Sequence, residues 1–175
     1  IDSFRTAGFN VGSAICEIID NSVEADSTSI EIIVKYLPKK LNQKWPRIEK
    51  FVFIDNGHGM NNDILHNCLV LGEGTKKLSS KGIGKFGVGA TLAGISQARF
   101  LGIYSKIKTG KWLYAQLDLD LLNEGTGILD PVEKQPPDEY TKNLDDQGTI
   151  VIWEKVDGGE TQKDMEEATN KIGRI

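Results

Sequence analysis

Glu17 and Asn21 sit one helical turn apart in a stretch, Val11 to Ala25, that lacks proline. On a helix the i, i+4 spacing puts both side chains on one side. The amide oxygen of Asn21 is a neutral ligand suited to Mg²⁺, which prefers oxygen atoms and keeps several waters. Glu17 can then reach a water beside a terminal phosphate and act as general base. The same pair also suits a solvated helix face, and this fragment alone does not decide between the two.

A second fragment, Asp55-Asn56-Gly57-His58-Gly59-Met60, follows the apolar run Phe51-Val52-Phe53-Ile54. The chain therefore delivers Asp55 to a strand end, partly buried, where an acid needs a partner. An exocyclic amine such as that of adenine would donate directly to the carboxylate. Gly57 and Gly59 let the backbone turn tightly and come close to a ligand. Asp-Asn-Gly is also ordinary turn chemistry, so turn and ligand site stand level here. His58 and His66 pair with no nucleophile and read as surface or packing residues.

The third fragment is Gly82-x-Gly84-x-x-Gly87-x-Gly89, which follows a long polar stretch. A dinucleotide fingerprint should instead open a βα unit directly after a strand, with an acid about 20 residues on. The P-loop pattern fails as well, because Gly84-Lys85 is followed by Phe86. What remains is a run of backbone amides leading into a helix N-terminus, a physically sound anion site. Lys76, Lys77, Lys81 and Lys85 add positive charge nearby, although surface lysines are mostly just solvated. Taken together, the three fragments describe a nucleotide site with a metal ligand and a general base.

The elements that must position these groups follow from periodicity. In the first helix, Ile15, Ile18, Ile19 and Val23 share one face and Glu17, Asn21 and Glu24 the other. Ser27 to Leu37 and Ile48 to Ile54 read as strands, with Lys39 to Pro46 as a polar turn. Asn61 to Leu71 reads as a short helix capped by Asn61 or Asn62. Gly72 to Lys85 is a loop of about fourteen residues, a length that is usually functional or disordered. Gly87 to Ser96 is a helix of small residues. Phe100 to Lys106 and Trp112 to Leu119 are strands joined through Thr109-Gly110, and Thr149 to Val156 is the last strand. Gly125 to Gln147, with Pro131, Pro136 and Pro137, reads as an irregular connection, and Glu160 to Ile172 as a final helix. The fold class expected is a two-layer α/β sandwich, with helices on one face of a mainly antiparallel or mixed sheet.

Length and composition are consistent with this. The 175 residues fit a single domain, 1–175, with a real core. A net charge of −4 argues against extensive nonspecific nucleic-acid binding by this domain, though not against a basic partner domain. No apolar run approaches the roughly 18 residues of a membrane span, and no secretory signal opens the chain. Cys16 and Cys68 lie in apolar settings and read as buried free thiols of a reducing compartment. A start without Met and an end within the pattern 164–172 suggest a domain excised from a longer protein.

From about Gly8 to Val156 the chain resembles the ATP-binding domain of the gyrase, heat-shock chaperone, histidine kinase and MutL (GHKL) superfamily. Glu17-Ile18-Ile19-Asp20-Asn21-Ser22 is similar to its asparagine box, which implies Asn21 as Mg²⁺ ligand and Glu17 as water-activating base. Asp55 to Met60 is similar to the first glycine box, implying that Asp55 holds the adenine amine while Gly57, Gly59 and Met60 line the base. Lys81 to Gly89 is similar to the second glycine box at the hinge of an ATP lid, over about 72–86. This implies Gly84, Lys85, Phe86, Gly87, Val88 and Gly89 near the phosphates. Gly148-Thr149 matches an element in which Thr149 supports Asp55 and adenine through water, and Ala25 would be a small residue on the adenine wall.

The resemblance implies ATP and Mg²⁺ as cofactors, an ATPase of the hydrolase branch, and lid closure that drives conformational change or self-association. A sensor kinase usually lacks a carboxylate serving a water at the Glu17 position. Asp-Asn-Gly-x-Gly is closer to MutL, topoisomerases and MORC proteins, whereas Gly84 to Gly89 is closer to the chaperone hinge. That mixture points to a MORC-like branch or an uncharacterised bacterial member. Partners implied are ATP and ADP, a C-terminal domain beyond this chain that supplies a γ-phosphate Lys or Arg, and nucleic acid only through the parent protein. No membrane is implied, and the expected location is cytoplasmic, or nuclear in a eukaryote. The isolated domain is expected to turn over weakly or not at all. The alternatives are a nucleotide-gated scaffold without appreciable hydrolysis and a sensor kinase catalytic domain.

Overall fold

The computed structural model describes residues 8–42, 46–69, 88–122 and 127–157. The elements are α1 (Val11–Glu24), β1 (Ile30–Tyr36), β2 (Ile48–Asp55), α2 (Asn62–Leu69), α3 (Val88–Gln97), β3 (Ala98–Lys106), β4 (Leu113–Asp118), β5 (Ile128–Glu133), α4 (Asp138–Thr141) and β6 (Gly148–Val156). The six strands form one sheet in the order β1-β2-β6-β3-β4-β5. Every strand pair is antiparallel, so the mixed alternative is set aside for the described residues. β3 and β4 are joined by the expected tight turn, in which Gly110 N–H donates to the Ile107 carbonyl at 2.9 Å.

α1 begins in a reciprocal cap. Asn10 Oδ1 accepts from Ser13 N–H at 2.8 Å, while Ser13 Oγ accepts from Asn10 N–H at 3.0 Å. This satisfies donors the helix itself cannot use. The buried stripe runs through Val11, Ala14, Ile15, Ile18, Ile19 and Ser22. Val23, expected on that stripe, is 58% exposed. At about 100° per residue the stripe is centred between Ile18 and Ile19, on Ser22, and Val23 falls at its margin. α2 is capped by Asn61, whose Oδ1 accepts from Ile64 N–H at 3.0 Å.

α1, α2 and α3 pack on one face of the sheet, over Phe51, Phe53, Leu101, Ile103, Val151 and Trp153. Trp153 meets the Phe51 and Phe53 rings edge-on, with centroids 5.8 and 4.7 Å apart. The other face carries Val52, Ile54, Tyr104, Tyr114, Ile150 and Ile152, and the single turn α4 covers part of it through Tyr140. Lys35–Glu139 at 2.9 Å ties α4 to β1.

The stretch 125–147 is more regular than its prolines suggest, because it contains β5 and α4. β5 is the last strand of the sheet, where a residue without an N–H does least harm. Pro131 sits at a register shift, where two residues of β5 stand opposite Ala115 alone. The helix expected over 160–172 lies outside the described residues.

Candidate functional site

Three central strands end in one polar rung. Asp55 of β2 pairs in register with Thr149 of β6, and Thr149 pairs with Ser105 of β3. All three side chains share the helix-facing side with Phe53, Val151 and Ile103 one step back. α1 lies above this rung and contributes Ile18, Asn21, Ser22 and Ala25, while α2 and α3 supply Ile64, Cys68, Ala90 and Thr91 as walls. Together these groups enclose a cavity of about 270 Å³, completed by Gly59, Met60 and the rim residue His58. Its lining is mostly apolar with a few converging polar groups, the usual character of a small-molecule site.

Asp55 is buried, and its carboxylate is held from two sides. Gly57 N–H donates to Oδ1 at 2.9 Å and Ser22 Oγ donates to Oδ2 at 3.1 Å. Burial nonetheless raises its pKa above the ordinary carboxylate value, against the lowering effect of these hydrogen bonds. Each carboxylate oxygen can accept more than one hydrogen bond, so an ionised Asp55 can still take a donor from a ligand.

The glycine turn after β2 is shaped by close approach. Gly57 packs on Ala25, so that a Cβ there would lie 2.7 Å from the Ala25 Cβ. Gly59 has φ +70°, and a Cβ there would overlap the Lys106 carbonyl oxygen. Gly59→Ala should thus cost about 2 kcal/mol or more of stability. Urea unfolding would read this, and an unchanged midpoint would contradict it. Asn56 anchors the facing turn: its Oδ1 accepts from the N–H groups of Thr28 and Ser29, each at 2.9 Å. Met60 N–H donates to Ser105 Oγ at 2.8 Å, and Ser105 Oγ lies 3.0 Å from Thr149 Oγ1.

The structure thus brings Asn21, Ala25, Asp55, Gly59, Met60 and Thr149 around one cavity, with Gly57 directly behind Asp55. Glu17 is not part of the lining. Its carboxylate reaches the start of α3, where Oε2 would lie 2.8 Å from a Cβ on Gly89. Gly84, Lys85, Phe86 and Gly87, the lid expected at about 72–86, and the side chain of Val88 lie outside the described residues, as do Lys76, Lys77 and Lys81. His58 is exposed, and His66 pairs with Asp130 at 3.0 Å. Cys68 is buried and Cys16 half-buried, and both are free. Burial pushes the Cys68 thiol up to about 11, so it stays neutral and packs against Met60 Sδ at 3.5 Å.

Three residues of the site carried no sequence assignment. Ser22 stands at the centre of an otherwise apolar stripe, and a polar residue at a core-facing position was the available signal. Ser105 is fully buried at a strand end. Thr91 Oγ1 donates to the Cys68 carbonyl at 2.7 Å and so ties α3 to the end of α2.

Fold and cavity together describe an α/β domain with a pocket for a small, largely apolar group at one end of its sheet. A family model described as histidine kinase-, DNA gyrase B-, and HSP90-like ATPase matches residues 9–149, and the chain belongs to that family. Comparison with curated proteins finds no match. Among the described residues no helix is long and apolar enough to cross a membrane.

Proposed function

We propose that this domain binds ATP with Mg²⁺ and hydrolyses it, and that closure of a lid over the nucleotide changes the shape or self-association of a larger protein. The observation that carries the reading is Asp55: a buried carboxylate on the floor of an apolar cavity, with room to accept a further donor. The adenine amine supplies that further donor. Thr149 supports that end of the base, with Ser105 holding the Thr149 hydroxyl; Ala25, Gly59 and Met60 form its walls, and Gly57 holds Asp55 through its N–H.

Asn21 borders the same cavity and offers its amide oxygen to the metal. No group of three or more His, Cys, Asp or Glu residues that could hold an ion occurs among the described residues. This donor set suits a metal that arrives with phosphate oxygens and needs only one or two ligands from the protein. The ion neutralises phosphate charge when bound. Glu17, one turn before Asn21, holds the attacking water and takes its proton. Gly84 to Gly89 and Lys85 lie near the phosphates in this reading, and a Lys or Arg from a following domain completes the γ-phosphate site. The domain alone then binds nucleotide but turns it over weakly.

Nucleotide selectivity tests the proposal. Guanine presents a carbonyl where adenine presents an amine, which would set two acceptors against each other at a buried Asp55. ATP should bind about 100-fold or more tightly than GTP by calorimetry in the presence of Mg²⁺. Equal affinities would sink the adenine assignment.

A further inference from the structure

We propose that Gly89 is a residue that positions Glu17, by leaving free the place where its carboxylate rests beside α3. The inference rests on the reading of Glu17 as general base and adds what holds that base in place.

The glycines of this site fall into two kinds. A side chain on Gly57, Gly59 or Gly148 would strike backbone, so these glycines are needed for the chain to fold as it does. Gly89 differs. Among the described residues the nearest atoms to its added Cβ are Glu17 Oε2 at 2.8 Å and Glu17 Cδ at 3.9 Å, and no described backbone outside its own helix comes within 4 Å. Its φ is not left-handed, so a helix accepts any ordinary residue there. Alanine is also the better helix former, so glycine at this position is a loss for α3 considered alone.

An added methyl group would therefore be absorbed by the far end of a flexible side chain, not by the fold. The Glu17 carboxylate would have to move, and α1 and α3 could stay where they are. A base displaced by even about 1 Å loses the alignment on which proton transfer depends. Gly89 in this account does not touch the reacting atoms. It acts on hydrolysis through Glu17, and its substitution should separate turnover from binding.

The test compares Gly89→Ala, Glu17→Asp, their double variant and Glu17→Ala in the full chain that carries this domain. Single-turnover cleavage of ATP and equilibrium binding of an ATP analogue with a β,γ-imido bridge are both read. Gly89→Ala keeps the backbone N–H through which a glycine run meets phosphate, so it should slow cleavage about tenfold or more, leave analogue affinity within about threefold, and leave the melting temperature unchanged or higher. In the Glu17→Asp background the shorter side chain withdraws from the new methyl group, so Gly89→Ala should cost less than about threefold. Equal losses in the two backgrounds, or a loss of affinity parallel to the loss of rate, would overturn the inference. In the second case the added methyl group would act on the bound phosphates and not on Glu17. Normal cleavage by Glu17→Ala would remove the base reading itself, whereas its abolition alongside a fully active Gly89→Ala would remove only this inference. A crystal structure of Gly89→Ala gives a readout independent of turnover. Glu17 displaced with α3 in place supports the proposal, and α3 displaced with Glu17 in place refutes it.

Discussion

Asp55→Asn should abolish measurable ATP binding and leave the protein at least as stable as before. The amide oxygen of Asn would stay on the Gly57 N–H that now meets Oδ1 at 2.9 Å. The amide nitrogen would then take the place of Oδ2 and face the incoming adenine amine, donor against donor. A lost charge-assisted bond plus an unpaired buried donor predicts an affinity loss of about 100-fold or more. Stability moves the other way because burial raises the Asp55 pKa. Between the ordinary value and the raised one, the folded chain holds a proton that the unfolded chain releases. Stability accordingly falls as pH rises through that window and stays lower above it. Asn carries no charge at any pH and escapes this cost, so its melting temperature at pH 7 should equal or exceed that of the parent. The same shift sets a pH profile for binding. ATP affinity of the unmodified protein should weaken on acidification from a pH above the usual aspartate range. Wild-type affinity in the Asn variant would refute the site, and a large fall in melting temperature would refute the electrostatic account.

Glu17→Ala should have the opposite profile, with binding retained and chemistry lost. Glu17 lies outside the cavity lining and contributes nothing to the base pocket. Its removal should therefore leave nucleotide affinity within about threefold, while single-turnover cleavage falls by 10² to 10⁴, roughly the range attributable to a positioned general base. Rapid-quench measurement with excess enzyme reads the chemical step without interference from product release. Unchanged cleavage would end the base assignment. An unmodified full chain that binds ATP but never cleaves it would mark a nucleotide-gated scaffold.

The two variants also show what was legible in the sequence. Asp55 could be read because an apolar strand delivers an acid straight into a glycine turn, a purely local pattern. The helix carrying Glu17 and Asn21 was readable for a similar reason, since its periodicity spans four turns. Ser105 and Thr91 were not, because their partners are set by strand register and by how α3 meets α2, which no local window contains; Ser22 offered a local signal, a polar residue amid an apolar stripe, but not its partner Asp55. Val23 was over-read, since spacing gives the relative angle of residues but not the centre of the buried arc. Pro131 concealed β5, because a breaker in the middle of a run looks alike whether the strand is absent or at an edge.

The rung of Asp55, Thr149 and Ser105 has a consequence for how this domain can vary. The three side chains come from strands far apart in the chain and face the same way only because β2, β6 and β3 are in phase. A one-residue insertion within β6 would turn Thr149 to the opposite face of the sheet and leave Asp55 and Ser105 with a gap between them. An insertion of the same size in the 107–112 turn would leave that phase untouched. Tolerance to length changes should therefore be governed by phase and not by distance from the cavity, so that a remote in-strand insertion does more harm to the site than a longer loop at its edge.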